Sequence, residues 1–70
     1  MKLTVNGAPR DSAAVNLADL WRAETAELEL ADSRGFAISL NGEVVRRADW
    51  TATAVHEGDA VEIIRAMSGG

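Results

Sequence analysis

The sequence predicts an α+β fold in which one main helix packs on one face of a mixed five-stranded sheet. Several short segments alternate apolar and polar residues, as strands with one buried face do. Two Asn-Gly pairs, Asn6-Gly7 and Asn41-Gly42, are typical of tight hairpins, because a type I′ turn needs positive φ at both central positions. One longer segment carries apolar residues at helical spacing. Strands joined in hairpins around one amphipathic helix favour a sheet covered on one side.

The N-terminal hairpin supplies the first two strands. Residues 1–6 alternate apolar and polar side chains, which predicts a strand with one buried face. The return strand is predicted over residues 8–13. Pro9 restricts that strand to an edge of the sheet, because proline cannot donate a ladder hydrogen bond.

The helix is predicted to begin after Asn16, whose side chain can cap it, and to run to about Leu30. Its apolar residues share one helical face: Leu17, Leu20, Trp21 and Leu28. Glu24 interrupts that face and is expected at its rim. An aromatic among leucines at helical spacing is typical of a core, so Trp21 is predicted to be buried rather than to bind a ligand.

A second hairpin and a final strand complete the predicted sheet. Strands are expected over residues 36–40 and 43–45, on either side of the second Asn-Gly pair, and again over residues 60–65. Residues 46–50 lose the alternation and predict a turn or short helix anchored by Trp50. The first and last strands are expected to pair in parallel at the sheet centre. That layout is the β-grasp of ubiquitin-like proteins.

The end of the chain is the feature with the clearest chemical potential. The element order predicts a β-grasp domain over residues 1–66 and a flexible tail over residues 67–70 that ends in Gly69-Gly70. Glycine has no Cβ, so a diglycine can lie flat in a narrow channel where other residues do not fit. The terminal carboxylate is a group that an enzyme can activate. The competing interpretation is an ordinary frayed terminus.

Composition limits what else the chain can do. It has 70 residues, a formal net charge of −4, one histidine and no cysteine. Without cysteine there is no disulfide, thiolate metal site or cysteine nucleophile. The acidic balance argues against nucleic acid as a partner, and no apolar run approaches the roughly 20 residues of a membrane helix. We therefore expect a cytoplasmic protein that is monomeric when free and binds neither nucleic acid nor membrane.

Five different short motifs follow one another along the chain, over residues 38–45, 47–50, 58–59, 61–64 and 68–70. Together with the strand order, these motifs resemble the ThiS-like sulfur carriers of thiamine biosynthesis, in the ubiquitin-like superfamily. The resemblance covers essentially the whole chain. One departure is Arg46, where that family commonly has proline.

The resemblance implies a specific reaction. A ThiF-like adenylyltransferase would use ATP to adenylate the carboxylate of Gly70, and sulfur relayed from a cysteine desulfurase would then convert it to a thiocarboxylate. A ThiG-like thiazole synthase would accept that sulfur. The carrier would be a protein co-substrate, not an enzyme, and would bind no cofactor itself. Since the chain lacks cysteine, it cannot hold sulfur as a persulfide, which leaves Gly70 as the attachment point.

The candidate site residues all lie at or near the tail. Gly70 is the predicted site of adenylation, and Ser68 and Gly69 precede it. Ile64 alternates out of phase with Ile63, so it should lie on the open face of the sheet with Ala37, Ser39 and Ala66. The expected partner-binding residues are Ile64, Arg65, Ala66 and Met67.

Other functions remain compatible with the sequence. The chain resembles a molybdopterin-type (MoaD) carrier less, because it lacks the paired prolines often seen before that family's end. A ubiquitin-like protein modifier, joined through Gly70 to lysines of other proteins, is a second alternative. A plain β-grasp interaction domain is a third, and it alone would keep its function after deletion of Gly69-Gly70.

Overall fold

A computed structural model describes residues 1–26 and 35–65 of the chain. Within these ranges a mixed five-stranded sheet is accompanied by an α-helix and a 3₁₀ helix. The elements are β1 (Lys2–Val5), β2 (Ala8–Asp11), α1 (Leu17–Glu24), β3 (Phe36–Leu40), β4 (Glu43–Val45), the 3₁₀ helix (Arg47–Ala52) and β5 (Ala60–Arg65). The predicted α+β class is confirmed. The predicted boundary between residues 66 and 67 lies outside the described residues.

The order of strands across the sheet is β2-β1-β5-β3-β4. The first and last strands pair in parallel at its centre, as predicted, with Val5 opposite Val61. β5 also pairs antiparallel with β3, and β3 with β4. Pro9 lies in β2, at the edge of the sheet, where its missing N–H disrupts no ladder.

Both Asn-Gly pairs form the predicted turns. The φ angles are 53° and 80° at Asn6 and Gly7, and 52° and 90° at Asn41 and Gly42. These left-handed values join adjacent antiparallel strands through two residues, as a type I′ turn does. β2 ends at Asp11, two residues short of the prediction, although Ser12 still exchanges two hydrogen bonds with Met1: the Ser12 N–H donates to the Met1 carbonyl at 2.8 Å, and the Met1 ammonium donates to the Ser12 carbonyl at 2.9 Å.

The helix is shorter than the sequence pattern predicts. Its start is confirmed, since Asn16 Oδ1 accepts a hydrogen bond from the backbone N–H of Asp19 at 2.8 Å. The prediction of an end near Leu30 is wrong, because α1 ends at Glu24. The N–H and hydroxyl of Thr25 both donate to the Trp21 carbonyl, at 3.0 and 2.6 Å, and Thr25 itself leaves the helical conformation. Leu28 lies outside the described residues.

The core lies between α1, the 3₁₀ helix and one face of the sheet. Its buried apolar residues are Leu3, Val5, Leu17, Ala18, Leu20, Trp21, Ile38, Trp50, Val55 and Val61. Trp21 is a core residue, as predicted, with its ring 6.2 Å from Trp50 and edge-on to Phe36 at 5.4 Å. Trp50 anchors the 3₁₀ helix, because its indole N–H donates to the Val45 carbonyl at 2.9 Å.

Candidate functional site

The candidate site begins where the central strand ends. β5 ends at Arg65, and it runs in the same direction as β1 and β4 because it is parallel to β1 and antiparallel to β3. The C-terminal ends of these strands therefore meet at one end of the sheet, which we call the tail end. The predicted tail residues Ala66, Met67, Ser68, Gly69 and Gly70 lie outside the described residues.

Ile64 lies on the face of the sheet that α1 does not cover. It is 54% exposed, whereas Val61 on the opposite side of the same strand is 1% exposed. Ala37 is its direct partner in the β3–β5 ladder and is also exposed. The alternation therefore predicted the position of Ile64 correctly, although exposure alone assigns it no partner.

Val44 is an apolar residue on the same face that the sequence analysis did not select. It is 77% exposed and pairs with Ser39 across the β3–β4 ladder. Ser39 is in turn the partner of Glu62 on β5, so these side chains form a row across the open face. The available signal was the Val44-Val45 pair, because two consecutive valines in a strand place one on each face. We call Ala37, Val44 and Ile64 the open-face patch.

Arg65 does not join this patch. Its guanidinium lies over the ring of Phe36, 5.7 Å from the ring centre, and Phe36 packs edge-on against the core residue Trp21. Arg65 thus extends toward the helix side of the sheet, while Ile64 extends toward the open side. Two residues that the sequence analysis grouped as one partner-binding set therefore lie on opposite faces.

The turn asparagines hold β5 in place from both of its neighbouring strands. Asn41 Oδ1 accepts from the N–H of Ala60 at 2.9 Å, and Asn41 Nδ2 donates to Asp59 Oδ1 at 3.1 Å. Asn6 Oδ1 accepts from the N–H of Ile63 at 2.8 Å, and Asn6 Nδ2 donates to the Ile63 carbonyl at 3.2 Å. Sequence reasoning assigned these asparagines only to their turns, and nothing local signals contacts so distant along the chain.

The described residues offer little other chemistry. They contain no group of three or more His, Asp or Glu side chains placed to hold a metal ion. No helix in residues 1–26 and 35–65 is long and apolar enough to cross a membrane. A shallow pocket of about 210 Å³ lies on the helix side of the tail end, between Asn6, Thr25, Phe36 and Arg65.

The strand order, the parallel pairing of the first and last strands at the centre and the main helix of the described residues define a β-grasp protein of the ubiquitin-like class. The ThiS family profile matches residues 3–70. The chain belongs to the ThiS family.

Solved structures support the same assignment. A crystal structure of a thiamine biosynthesis protein (ThiS) from Geobacter metallireducens is 38% identical, with a TM-score of 0.74 and full coverage of both chains. A solution NMR structure of a thiamine biosynthesis protein from the same organism is 41% identical, with a TM-score of 0.71, and the match covers 100% of this chain and 88% of that one.

A curated relative is a much longer protein. It is named thiazole synthase, comes from Paramagnetospirillum magneticum, and is 33% identical over 70 residues. The match covers all of this chain but only 20% of that protein. The chain therefore spans about one fifth of the length of the curated relative it matches.

Proposed function

We propose that this chain is a sulfur carrier of thiamine biosynthesis and that the carboxylate of Gly70 carries the sulfur as a thiocarboxylate. The observation that carries the proposal is the ThiS family match, which extends over residues 3–70 and so includes the terminal diglycine. The two similar solved structures, both described as thiamine biosynthesis proteins, support the choice of pathway.

The chemistry explains why such a carrier needs an activating partner. A carboxylate is a poor electrophile, because its negative charge repels nucleophiles and oxide is a poor leaving group. In the proposed reaction a Gly70 carboxylate oxygen attacks the α-phosphorus of ATP, and pyrophosphate leaves. A sulfur nucleophile then adds to the acyl carbon and AMP departs with the oxygen. A donor at the persulfide level also requires a reducing thiol to release the thiocarboxylate.

The carrier contributes the acyl group and its presentation, while the partner supplies catalysis. The proposed activating partner is a ThiF-like adenylyltransferase, which would position ATP and stabilise the charge that develops on the phosphoryl group. A cysteine desulfurase would supply sulfur. The chain is therefore proposed to act as a protein co-substrate, and we propose that it does so in the cytoplasm.

The proposed sulfur acceptor is a ThiG-like thiazole synthase. The curated relative named thiazole synthase contains a segment similar to this whole chain, which supports a functional link between carrier and synthase. The open-face patch is the proposed docking surface for these partners, since it places Ile64 one residue from the end of β5. Apolar contact there would bring the tail to the partner's active site.

Intact-mass spectrometry tests the proposal directly. The chain is incubated with a ThiF-like enzyme, ATP, cysteine and a cysteine desulfurase. Exchange of one oxygen for sulfur is expected to raise the mass by about 16 Da, localised to Gly70 by fragmentation. A chain lacking Gly69-Gly70 is the control and should show no change. An unchanged mass of the full chain, under conditions that convert an authentic carrier, would refute the proposal.

A further inference from the structure

The Asn6 side chain pairs with β5 at a position beyond the end of the β1 backbone. β1 ends at Val5, and the chain then turns away through Asn6 and Gly7 with positive φ. The last backbone hydrogen bond from this side is donated by the Asn6 N–H to the Val61 carbonyl at 2.9 Å. β5 nevertheless continues to Arg65, so its final residues extend beyond the backbone of β1.

The amide of Asn6 continues the ladder for one more step. It accepts from the Ile63 N–H and donates to the Ile63 carbonyl, at 2.8 and 3.2 Å. A carboxamide has the same donor and acceptor as a peptide group, so it can stand in for the next residue of a strand. The N–H and C=O of Ile63 point toward β1, which leaves Asn6 as their partner among the described residues.

The neighbouring residue is held from the other side. Because donor and acceptor directions alternate along a strand, the N–H and C=O of Ile64 point toward β3, where Ala37 is its ladder partner. β5 is thus paired on both sides as far as Ile63 and on one side beyond it. The Asn6 contact is the last one from the β1 side among the described residues of β5.

We propose that Asn6 is a positioning residue that fixes the end of β5, and with it the direction in which the tail leaves the domain. This inference rests on the proposed function, since it concerns how the tail reaches an activating enzyme. Without the amide, residues 63–65 can separate from the β1 side of the sheet. Docking would then have to order them again, which weakens binding but leaves the chemical step unchanged once the tail is in place.

The substitution N6G removes the amide cleanly. Asn6 has φ of 53°, which glycine adopts without strain, and a Gly-Gly pair suits a type I′ turn, so the turn itself is preserved. The matched control is N41G. It removes an asparagine from an equivalent Asn-Gly turn, with φ of 52°, whose amide contacts Ala60 at the opposite end of β5.

The first measurement is native-state hydrogen exchange followed by NMR, and it does not depend on any partner. In N6G the protection of the Ile63 amide is expected to fall by roughly tenfold, in line with the loss of a net hydrogen bond. The Ile64 amide should lose less protection. In N41G the Ile63 amide should keep its protection. An Ile63 amide equally protected in N6G and the unsubstituted chain would overturn the inference.

The second measurement is steady-state adenylation with a ThiF-like enzyme and ATP, with pyrophosphate release as the readout. For N6G the KM for the carrier is expected to rise by about three- to tenfold with kcat within twofold, because ordering is lost but not chemistry. N41G should change KM less than twofold. N6D should be at least as impaired as N6G, because a carboxylate oxygen would face the Ile63 carbonyl.

The outcomes separate the inference from the proposed function. If the unsubstituted chain is not adenylated, the proposed function fails, and the exchange at Ile63 still decides whether Asn6 holds the strand. If the unsubstituted chain is adenylated and N6G has the same KM, the positioning role is wrong. Equal KM increases in N6G and N41G would also overturn it, since they would indicate general destabilisation.

Discussion

The proposed docking role of Ile64 has a consequence that can be calculated. Full burial of an isoleucine side chain is worth about 1.5–3 kcal/mol. Since 54% of Ile64 is exposed in the free domain, docking that covers it completely would gain about half of that, or about 0.8–1.6 kcal/mol. The substitution Ile64→Ala removes most of this gain, and loss of all of it would raise the KM about 4- to 15-fold, so the KM for the carrier should rise by about 3- to 10-fold.

The assay is adenylation-dependent pyrophosphate release at varied carrier concentration. Val15→Ala is the matched control, because Val15 is 65% exposed but lies between β2 and α1, away from the open-face patch. Ile64→Ala also loses the part of the side chain that is buried in the free domain, which costs about 0.7–1.4 kcal/mol of folding stability, so the assay is run at a temperature at which circular dichroism shows both variants folded. A KM for Ile64→Ala that matches the Val15→Ala value would refute docking through this face.

Three further predictions concern the stability of the domain. Trp50→Phe should lower the free energy of unfolding by about 2–4 kcal/mol in urea titrations followed by circular dichroism, because it shrinks a buried ring and removes the indole hydrogen bond to the Val45 carbonyl. A loss below about 1 kcal/mol would contradict the anchoring role. Arg46→Pro should raise the free energy of unfolding by about 0.4–1 kcal/mol, because proline restricts the unfolded chain. The site suits proline, since Arg46 has φ of −63° and its N–H bonds to no described residue. A lower unfolding midpoint would show that this loop cannot accept the ring. Asn16→Ala should lower the free energy of unfolding by about 1 kcal/mol, because the helix cap is lost. Asn16→Ser should retain most of that stability, since serine can also cap a helix. Equal losses of stability in both variants would argue against capping.

Local signals in the sequence predicted most of the sheet. Each Asn-Gly pair requires a backbone conformation that few other residues favour, so both hairpins could be placed from the sequence alone. The alternation in β5 likewise assigned Ile64 to the open face, because the side-chain period of a strand is two. Arg65 was selected with Ile64 only for its place near the tail, and the structure places its side chain on the opposite face of the sheet, over Phe36.

The end of the helix and the contacts of Asn6 could not be predicted from local sequence patterns. Apolar spacing extended the predicted helix to Leu30, but the backbone leaves the helical conformation at Thr25, whose N–H and hydroxyl both donate to the Trp21 carbonyl, and the helix ends at Glu24. The bond between Asn6 and Ile63 joins residues far apart in the chain, and asparagine at that position was already explained by its turn. A residue that satisfies one local requirement gives no sign of a second, long-range one.

The central position of β5 also determines how the domain can assemble. β1 and β2 form one hairpin and β3 and β4 another, and in the order β2-β1-β5-β3-β4 they are joined only through β5. Isolated two-stranded hairpins are marginally stable in water, although each can form within about 1–10 μs. Insertion of β5, which brings Thr4 beside Ala60, closes most of the chain into a loop and is expected to limit the folding rate. The strand that leads to the tail is therefore the one whose arrival makes folding cooperative.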